Sequence, residues 1–450
     1  MNKEEQYKRN LSFKDLLFVG LGFIIGAGIF SLLPFIIKYS KGISWLSFVV
    51  GGMICIFTGM SYAKLNSIYS TNDAEYTWIL KILNFKEDRE NPSKILTHFA
   101  NIVIWIVMAI GLFTGATIVV SQAEFIRQYA NINKILLILL LIIAPTIINL
   151  VGNKYTTIVN KTIMYIILTA FTLLYILAAK KGKHFNEVRF SPKSTDLEGI
   201  LKSSFITIFA YNGFQSVVQL SEETKNKNDV PKGILGSITL TIIIYALIVI
   251  SIISILGVKK ATSTITPFGD AFDVFIPGNV DRDLVNMLAI IALTNTSLIV
   301  NLSRSRLLQK LSQRGIAPKF LSKLTSIKSI FGGDKTETFK DTNEQNNDTI
   351  PIYSIIAVSV VTFFLTFIKK GAIEYLAKIT NGFIFIIFSV VNILTLIYYF
   401  KTKNKSEKEK EELLNKEIPL LKGFPWYAIL GLLTSLFYLS LSRKYLNIVK

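Results

Sequence analysis

The chain has 450 residues, of which 51% are apolar and only 18% charged, with a mean hydropathy of +0.47. A soluble domain carries about 25% charged residues, and here apolar runs of about 18 residues or more recur from end to end, each long enough to cross a bilayer core; a soluble enzyme and a disordered tail protein are excluded. The net charge of +19 lies in short segments between those runs, not in a basic domain, and reads as topogenic charge beside lipid headgroups with no nucleic-acid role.

Residues 1–15 are polar and mixed in charge, without the apolar region and small-residue cleavage site of a removed signal peptide, and are expected to form a cytoplasmic N-terminus. Beyond them hydropathy predicts an all-α integral membrane protein of about eleven transmembrane helices, at 16–38, 43–63, 95–122, 134–151, 156–179, 199–221, 233–257, 284–312, 352–369, 374–400 and 424–442. Pro145 lies inside the fourth and predicts a kink, not a stop, because neighbouring helices can satisfy the freed backbone. Lys and Arg favour the loops on the N-terminal side, which places the N-terminus inside and, with an odd count, the C-terminus outside. The segment 180–202 is contrary: it carries Lys180, Lys181, Lys183 and Arg189 on the other side. A polar loop at 313–350 and a charged cytoplasmic linker at 401–423 are too small to bury cores, and 424–450 holds an additional helix. The lone cysteine, Cys55, has no intrachain partner, and His98 and His184 lack neighbours at metal-ligand spacing, so neither a disulfide nor a metal site is expected.

Two spans look interrupted. The first reads VGLGFIIGAGIFSLLP, with Gly20, Gly22, Gly26 and Gly28 inside nine residues. Glycine costs about 1 kcal/mol against alanine in a helix interior, so the cluster predicts a break or very close packing; Gly22 and Gly26 also make a GxxxG face, and this span alone leaves both readings open. The sixth reads FITIFAYNGFQSVVQLSEE, with Asn212 and Gly213 in mid-membrane between Tyr211 and Gln215. Broken helices at corresponding positions of two halves point to an inverted-repeat transporter with its site at the midplane. Free N–H groups at a helix start bind a carboxylate, and free carbonyls bind an ammonium group or cation. An amino acid zwitterion fits two such breaks set side by side.

With these residues the chain resembles the amino acid–polyamine–organocation transporter superfamily. GAGIF at 26–30 matches the family's first-helix motif, and FAYNGFQ at 209–215 is similar to its sixth-helix pattern, followed by EETKNKNDVPKGI at 222–234. SRSRLLQKLSQRGIAP at 303–318 resembles the signature after helix eight, and YAKLNSIYSTNDAEYTWILK at 62–81 the segment between helices two and three. The resemblance implies two five-helix halves, 16–180 and 181–400, inverted in the membrane with helices one and six discontinuous. It implies a substrate site at Ile24, Ile25, Gly26, Ala27 and Gly28 and at Phe209, Ala210, Tyr211, Asn212 and Gly213. In it Ala27 and Gly28 offer N–H to the carboxylate, Ile24, Phe209 and Asn212 offer carbonyls to the amino group, and Phe209 acts as an aromatic gate. Glu222 and Glu223, at the inner end of span six, are read as a gate or loop anchor.

The family fold also suggests an ion cage from the carbonyls of Gly22 and Ile25 and the side chains of Asn295, Thr296 and Ser297. Many relatives couple to protons through a helix-five lysine; an ungapped count places Ile167 there, so that route is not expected. H⁺ coupling through another carboxylate, Na⁺ coupling and ion-free exchange stay open. Gln215 replaces a glutamate of many relatives, and one of the family's usual twelve spans is absent. The expectation is a multi-pass plasma-membrane permease that moves amino acids by alternating access, with no enzymatic activity, cofactor or metal. Two alternatives stand beside it: an amino-acid sensor of the same fold, and a polyamine or organic-cation carrier.

Overall fold

A computed structural model describes residues 9–84, 92–127, 130–264, 266–274, 279–326, 349–367, 373–405, 409 and 418–446. Most of the loop predicted at 313–350 and of the linker at 401–423 lies outside them. Within them the regular structure is helical but for a two-residue antiparallel pair, Thr325–Ser326 with Thr349–Ile350, and an isolated bridge between Leu11 and Thr224.

The first span is split in two. Helix α1 (Phe13–Ile24) starts from a capping box in which Ser12 and Asp15 exchange hydrogen bonds, and α2 (Ala27–Ser40) resumes after a bend at Ile25–Gly26. Then come α3 (Ser44–Ile68), α4 (Ala74–Leu83), α5 (Lys94–Arg127), α6 (Lys134–Val151) and α7 (Asn153–Lys181). Helix α6 runs on through Pro145 and turns Leu136, Leu140, Ile143 and Ile147 outward, an apolar face suited to lipid. Helix α8 (Leu197–Tyr211) stops at Asn212–Gly213, and the second half of the predicted span is a 3₁₀ segment, Phe214–Glu223. Gly213 has φ 133°, a left-handed conformation that favours glycine, and this is what turns the chain.

Helix α9 (Asp229–Ser263) kinks at Gly257, α10 (Pro267–Asp273) is short, and α11 (Asn279–Gln313), α12 (Ile352–Leu365), α13 (Ile373–Lys403) and α14 (Trp426–Leu446) follow. Among the described residues, seven helical stretches are long and apolar enough to cross a bilayer: Gly28–Ile68, Lys94–Arg127, Lys134–Val151, Tyr155–Lys181, Asp229–Ser263, Met287–Gln313 and Leu376–Lys403. Ile352–Leu365 and Trp426–Ser442 are shorter apolar helices. The molecule is a multi-pass all-α membrane protein. Helix α4 was not expected: ten residues carrying Glu75 and Lys81 give too weak a hydropathy signal, yet one face of it is buried.

Candidate functional site

The two breaks meet in the middle of the bundle. A Cβ on Gly28 would overlap the Cα and Cβ of Ala210, and one on Gly213 would overlap the Phe23 ring, so the absence of side chains lets the segments touch. Helix α2 begins at Ala27 with Gly26 as its N-cap, and the first N–H groups of a helix have no partner within it. Helices α1 and α8 both end here, presenting carbonyls. Ile24, Ile25, Gly26, Gly28, Phe209, Ala210, Tyr211, Asn212 and Gly213 are all buried.

The loose polar ends are met by groups from other helices. Tyr245 of α9 donates its hydroxyl to the carbonyl of Ile24 at 2.7 Å, and the carbonyl of Ala210 lies 3.3 Å from the same hydroxyl. Tyr211 donates to the carbonyl of Phe48 at 2.9 Å, which fixes the last turn of α8 against α3. The Asn212 amide donates to Thr114 of α5 at 3.0 Å and accepts from Gln215 at 2.6 Å, while Gln215 in turn accepts from the N–H of Gly213 at 3.1 Å. These contacts tie the sixth-helix break to α5 through neutral groups. Phe209 is 4% exposed, a core ring.

The suggested ion cage separates into two places. Thr296 lies against the first break and donates toward the carbonyls of Gly22 and Ile25, at 3.1 and 3.4 Å, as well as to its own helix at Ala292. Asn295 donates to Asn160 of α7 at 2.8 Å, and both amides sit where a Cβ on Gly22 would fall. Ser297 turns to another side. It lines a cavity of about 20 Å³ between α5, α6, α11 and α12, shared with Asn301 and Ser359. One residue further along a helix is a rotation of about 100°, so three consecutive residues do not face one point.

The position opposite the first break on α7 is also not the one counted from sequence. Asn160 faces Gly22, whereas Ile167 is two turns further along, in an apolar cavity of about 10 Å³ with Phe30, Phe171, Phe268, Phe272 and Leu288. Asn160, the α7 residue at Gly22, carries no titratable group; its neighbour Lys161 pairs with Asp15 near the start of α1. Tyr245, Thr114 and Asn160 are the site residues that sequence reading missed. Tyr245 is a lone polar group in an apolar run, and that was the available signal; Asn160 lies in the polar stretch NKYTTIVNKT and Thr114 three residues before Thr117, so neither stands out.

The end of the bundle where α1 starts is tied shut. Glu223 and Arg306, 1% and 0% exposed, pair at 3.1 Å. Glu222 pairs with Lys310 at 3.0 Å and accepts from Thr71, and Arg314 pairs with Asp73 and stacks over the Tyr76 ring. The N–H groups of Asn10 and Leu11 donate to the carbonyl of Glu223, and Lys225 N–H donates to the carbonyl of Leu11, which straps the N-terminal segment beside the end of the 3₁₀ segment. Glu222 and Glu223 thus sit in the ring of ion pairs that closes this end. Arg304 is buried and makes no ion pair among the described residues; it donates to the carbonyl of Val107 at 3.0 Å and fills the space that Gly111 leaves.

The amino acid permease family profile matches residues 11–443. The chain is 27% identical over 341 residues to the branched-chain amino acid permease BcaP of Bacillus subtilis, covering 71% of this chain and 70% of that protein. It is 23% identical over 347 residues to the methylthioribose transporter of Bacillus subtilis, with 73% of each covered. It is 22% identical over 425 residues to cationic amino acid transporter 1 of Arabidopsis thaliana, covering 91% of this chain and 66% of that protein.

Proposed function

The chain belongs to the amino acid permease family, and from that premise we propose that it carries amino acids across the plasma membrane by alternating access around its two broken helices. The supporting observation is the juxtaposition of breaks: the start of α2, whose first N–H groups have no partner within the helix, stands against the end of α8, where the Ala210 carbonyl meets the Tyr245 hydroxyl, at the Gly28–Ala210 contact. One side suits the substrate carboxylate and the other its ammonium group. In this reading eleven spans cross the bilayer, the first ten form two inverted halves of five, and the N-terminus is cytoplasmic. The ion-pair ring then closes the cytoplasmic end.

The side chain carried is neutral in this proposal. The groups around the sixth-helix break, Thr114, Asn212 and Gln215, are uncharged, whereas a cationic side chain in a dry site needs a carboxylate partner. No chemical step or cofactor enters the reading. The test is uptake of labelled amino acids into proteoliposomes, with the twenty amino acids competing against one label. Saturable accumulation or exchange, best inhibited by a neutral amino acid, is the expected result. Best competition by arginine or lysine removes the neutral assignment, and binding with neither accumulation nor exchange makes the chain a sensor.

A further inference from the structure

The lysines of the contrary segment 180–202 are gathered with two more at the end of the bundle opposite the N-terminus. The chain after α7 folds onto α9: His184 N–H donates to the carbonyl of Ser254 at 2.8 Å, and Val258 N–H donates to the Glu187 carboxylate at 2.7 Å. This folds the segment that carries Lys180 and Lys183 onto the end of α9 that carries Lys259 and Lys260, all four exposed and none with an ion-pair partner among the described residues. The three carboxylates of 180–202 are committed elsewhere. Glu187 also meets His184, Asp196 makes two hydrogen bonds with Arg189, and Glu198 pairs with Lys202. Beside the lysines lies a row of rings. Exposed Phe185 packs on exposed Phe190 with centroids 6.0 Å apart, and Phe190 packs on Trp45 at 5.9 Å.

We propose that this face is a binding surface for anionic phospholipid headgroups, with the four lysines taking the phosphates and the aromatic row lying at the level of the acyl–headgroup boundary. The argument is charge complementarity at a membrane depth that the rings mark. Aromatic side chains concentrate at the membrane–water interface, and lysines at that level attract anionic lipid over about a Debye length. Orientation does not account for these lysines, because they oppose the charge bias of the other loops. A surface role explains them where a topogenic one does not.

Trp45 reports on the patch. A Trp105→Phe/Trp426→Phe protein keeps Trp45 and the fully buried Trp78, so lipid-borne quenchers reach Trp45 alone. It is reconstituted at equal mole fractions of brominated phosphatidylglycerol or brominated phosphatidylcholine. Quenching by the anionic lipid should exceed that by the neutral one at least about twofold. The excess should vanish in about 1 M salt, where the Debye length is about 3 Å, and in a Lys180→Gln/Lys183→Gln/Lys259→Gln/Lys260→Gln variant whose quenching by phosphatidylcholine is unchanged. Equal quenching by the two lipids in the unmutated lysine background overturns the proposal, as does an excess that survives both salt and the four substitutions. Loss of the excess on adding millimolar glycerol 3-phosphate assigns the face to a soluble phosphate and overturns the lipid assignment.

Discussion

Gly28 and Ala210 are the point at which a single methyl group tests the two-break geometry. Alanine at Gly28 forces its Cβ into the backbone of the opposing break, and overpacking of this kind costs about 1–3 kcal/mol. A Gly28→Ala protein is expected to insert, to melt several degrees lower, and to lose most substrate uptake. Gly382→Ala, where an added Cβ meets nothing within 4 Å, should match the wild type in both assays. Equal uptake by the two variants would sink the proposed role of Gly28. Tyr245→Phe is a milder probe. The ring keeps its packing on Phe48, but the Ile24 carbonyl loses its 2.7 Å donor, and a buried acceptor left alone costs about 1–3 kcal/mol. Lower thermal stability with correct insertion is the expected measurement.

Glu75 gives a pH-dependent test on α4. It is 2% exposed and accepts from the Tyr62 hydroxyl at 2.8 Å. Burial pushes its carboxyl above the ordinary value of 4.5; the Tyr62 hydrogen bond and the Arg304 charge oppose that push, and Asp73 adds to it. A raised value means that the folded protein holds this proton more tightly than the unfolded chain does. The stabilisation is fully present below pH 4.5 and is lost as pH rises through the higher folded value. Glutamine keeps an oxygen for Tyr62 and never carries the charge. Glu75→Gln should therefore be more stable than wild type at pH 8, with the difference closing as pH falls toward 4.5. A constant difference across that range would contradict the assignment.

Among the elements, the 3₁₀ segment Phe214–Glu223 and the start of α1 move together or not at all, because the Leu11–Thr224 bridge joins them. The Glu223–Arg306 pair fastens both to α11. Removing one partner of a buried pair costs about 3–5 kcal/mol, a cost the chain escapes by opening that end to water. In a Cys55→Ala background, Val218→Cys is a buried reporter. Adding Glu223→Gln should raise its maleimide labelling several-fold, and unchanged labelling would show that the pair does not hold this end closed.

The same elements show what the sequence made legible. Both breaks could be read because glycine and asparagine are conspicuous inside apolar spans. The end of α8 at Asn212 followed from composition, but the 3₁₀ winding beyond it did not, since its residues are compatible with either helix. Helix α4 stayed hidden because a short, half-polar helix packed under a bundle has no periodic run long enough to see. Register between helices was the least legible feature: Asn160, not Ile167, faces Gly22, and Ser297 turns away from Thr296. Those facts depend on crossing geometry, which no single strand of sequence carries.

For the molecule as a whole the remaining question is what drives net movement. The groups gathered at the first break are Asn160, Asn295 and Thr296 with the carbonyls of Gly22 and Ile25, all uncharged. None of them exchanges a proton near neutral pH, so H⁺ coupling has no carrier at this point. The two carbonyls that would face a cation already accept from Thr296, and binding one would require that hydroxyl to turn and give up those bonds. With the Glu222 and Glu223 carboxylates held by Lys310 and Arg306, we propose exchange without an ion gradient. Proteoliposomes loaded with unlabelled amino acid should then take up label faster than empty ones, whether or not a sodium or pH gradient is imposed. Uphill uptake driven by a sodium gradient alone, and abolished by Thr296→Ala, would make the Gly22–Ile25–Thr296 group an ion site. Uphill uptake driven by a pH gradient and lost in Glu222→Gln would instead put the proton on the closing ring of the N-terminal end.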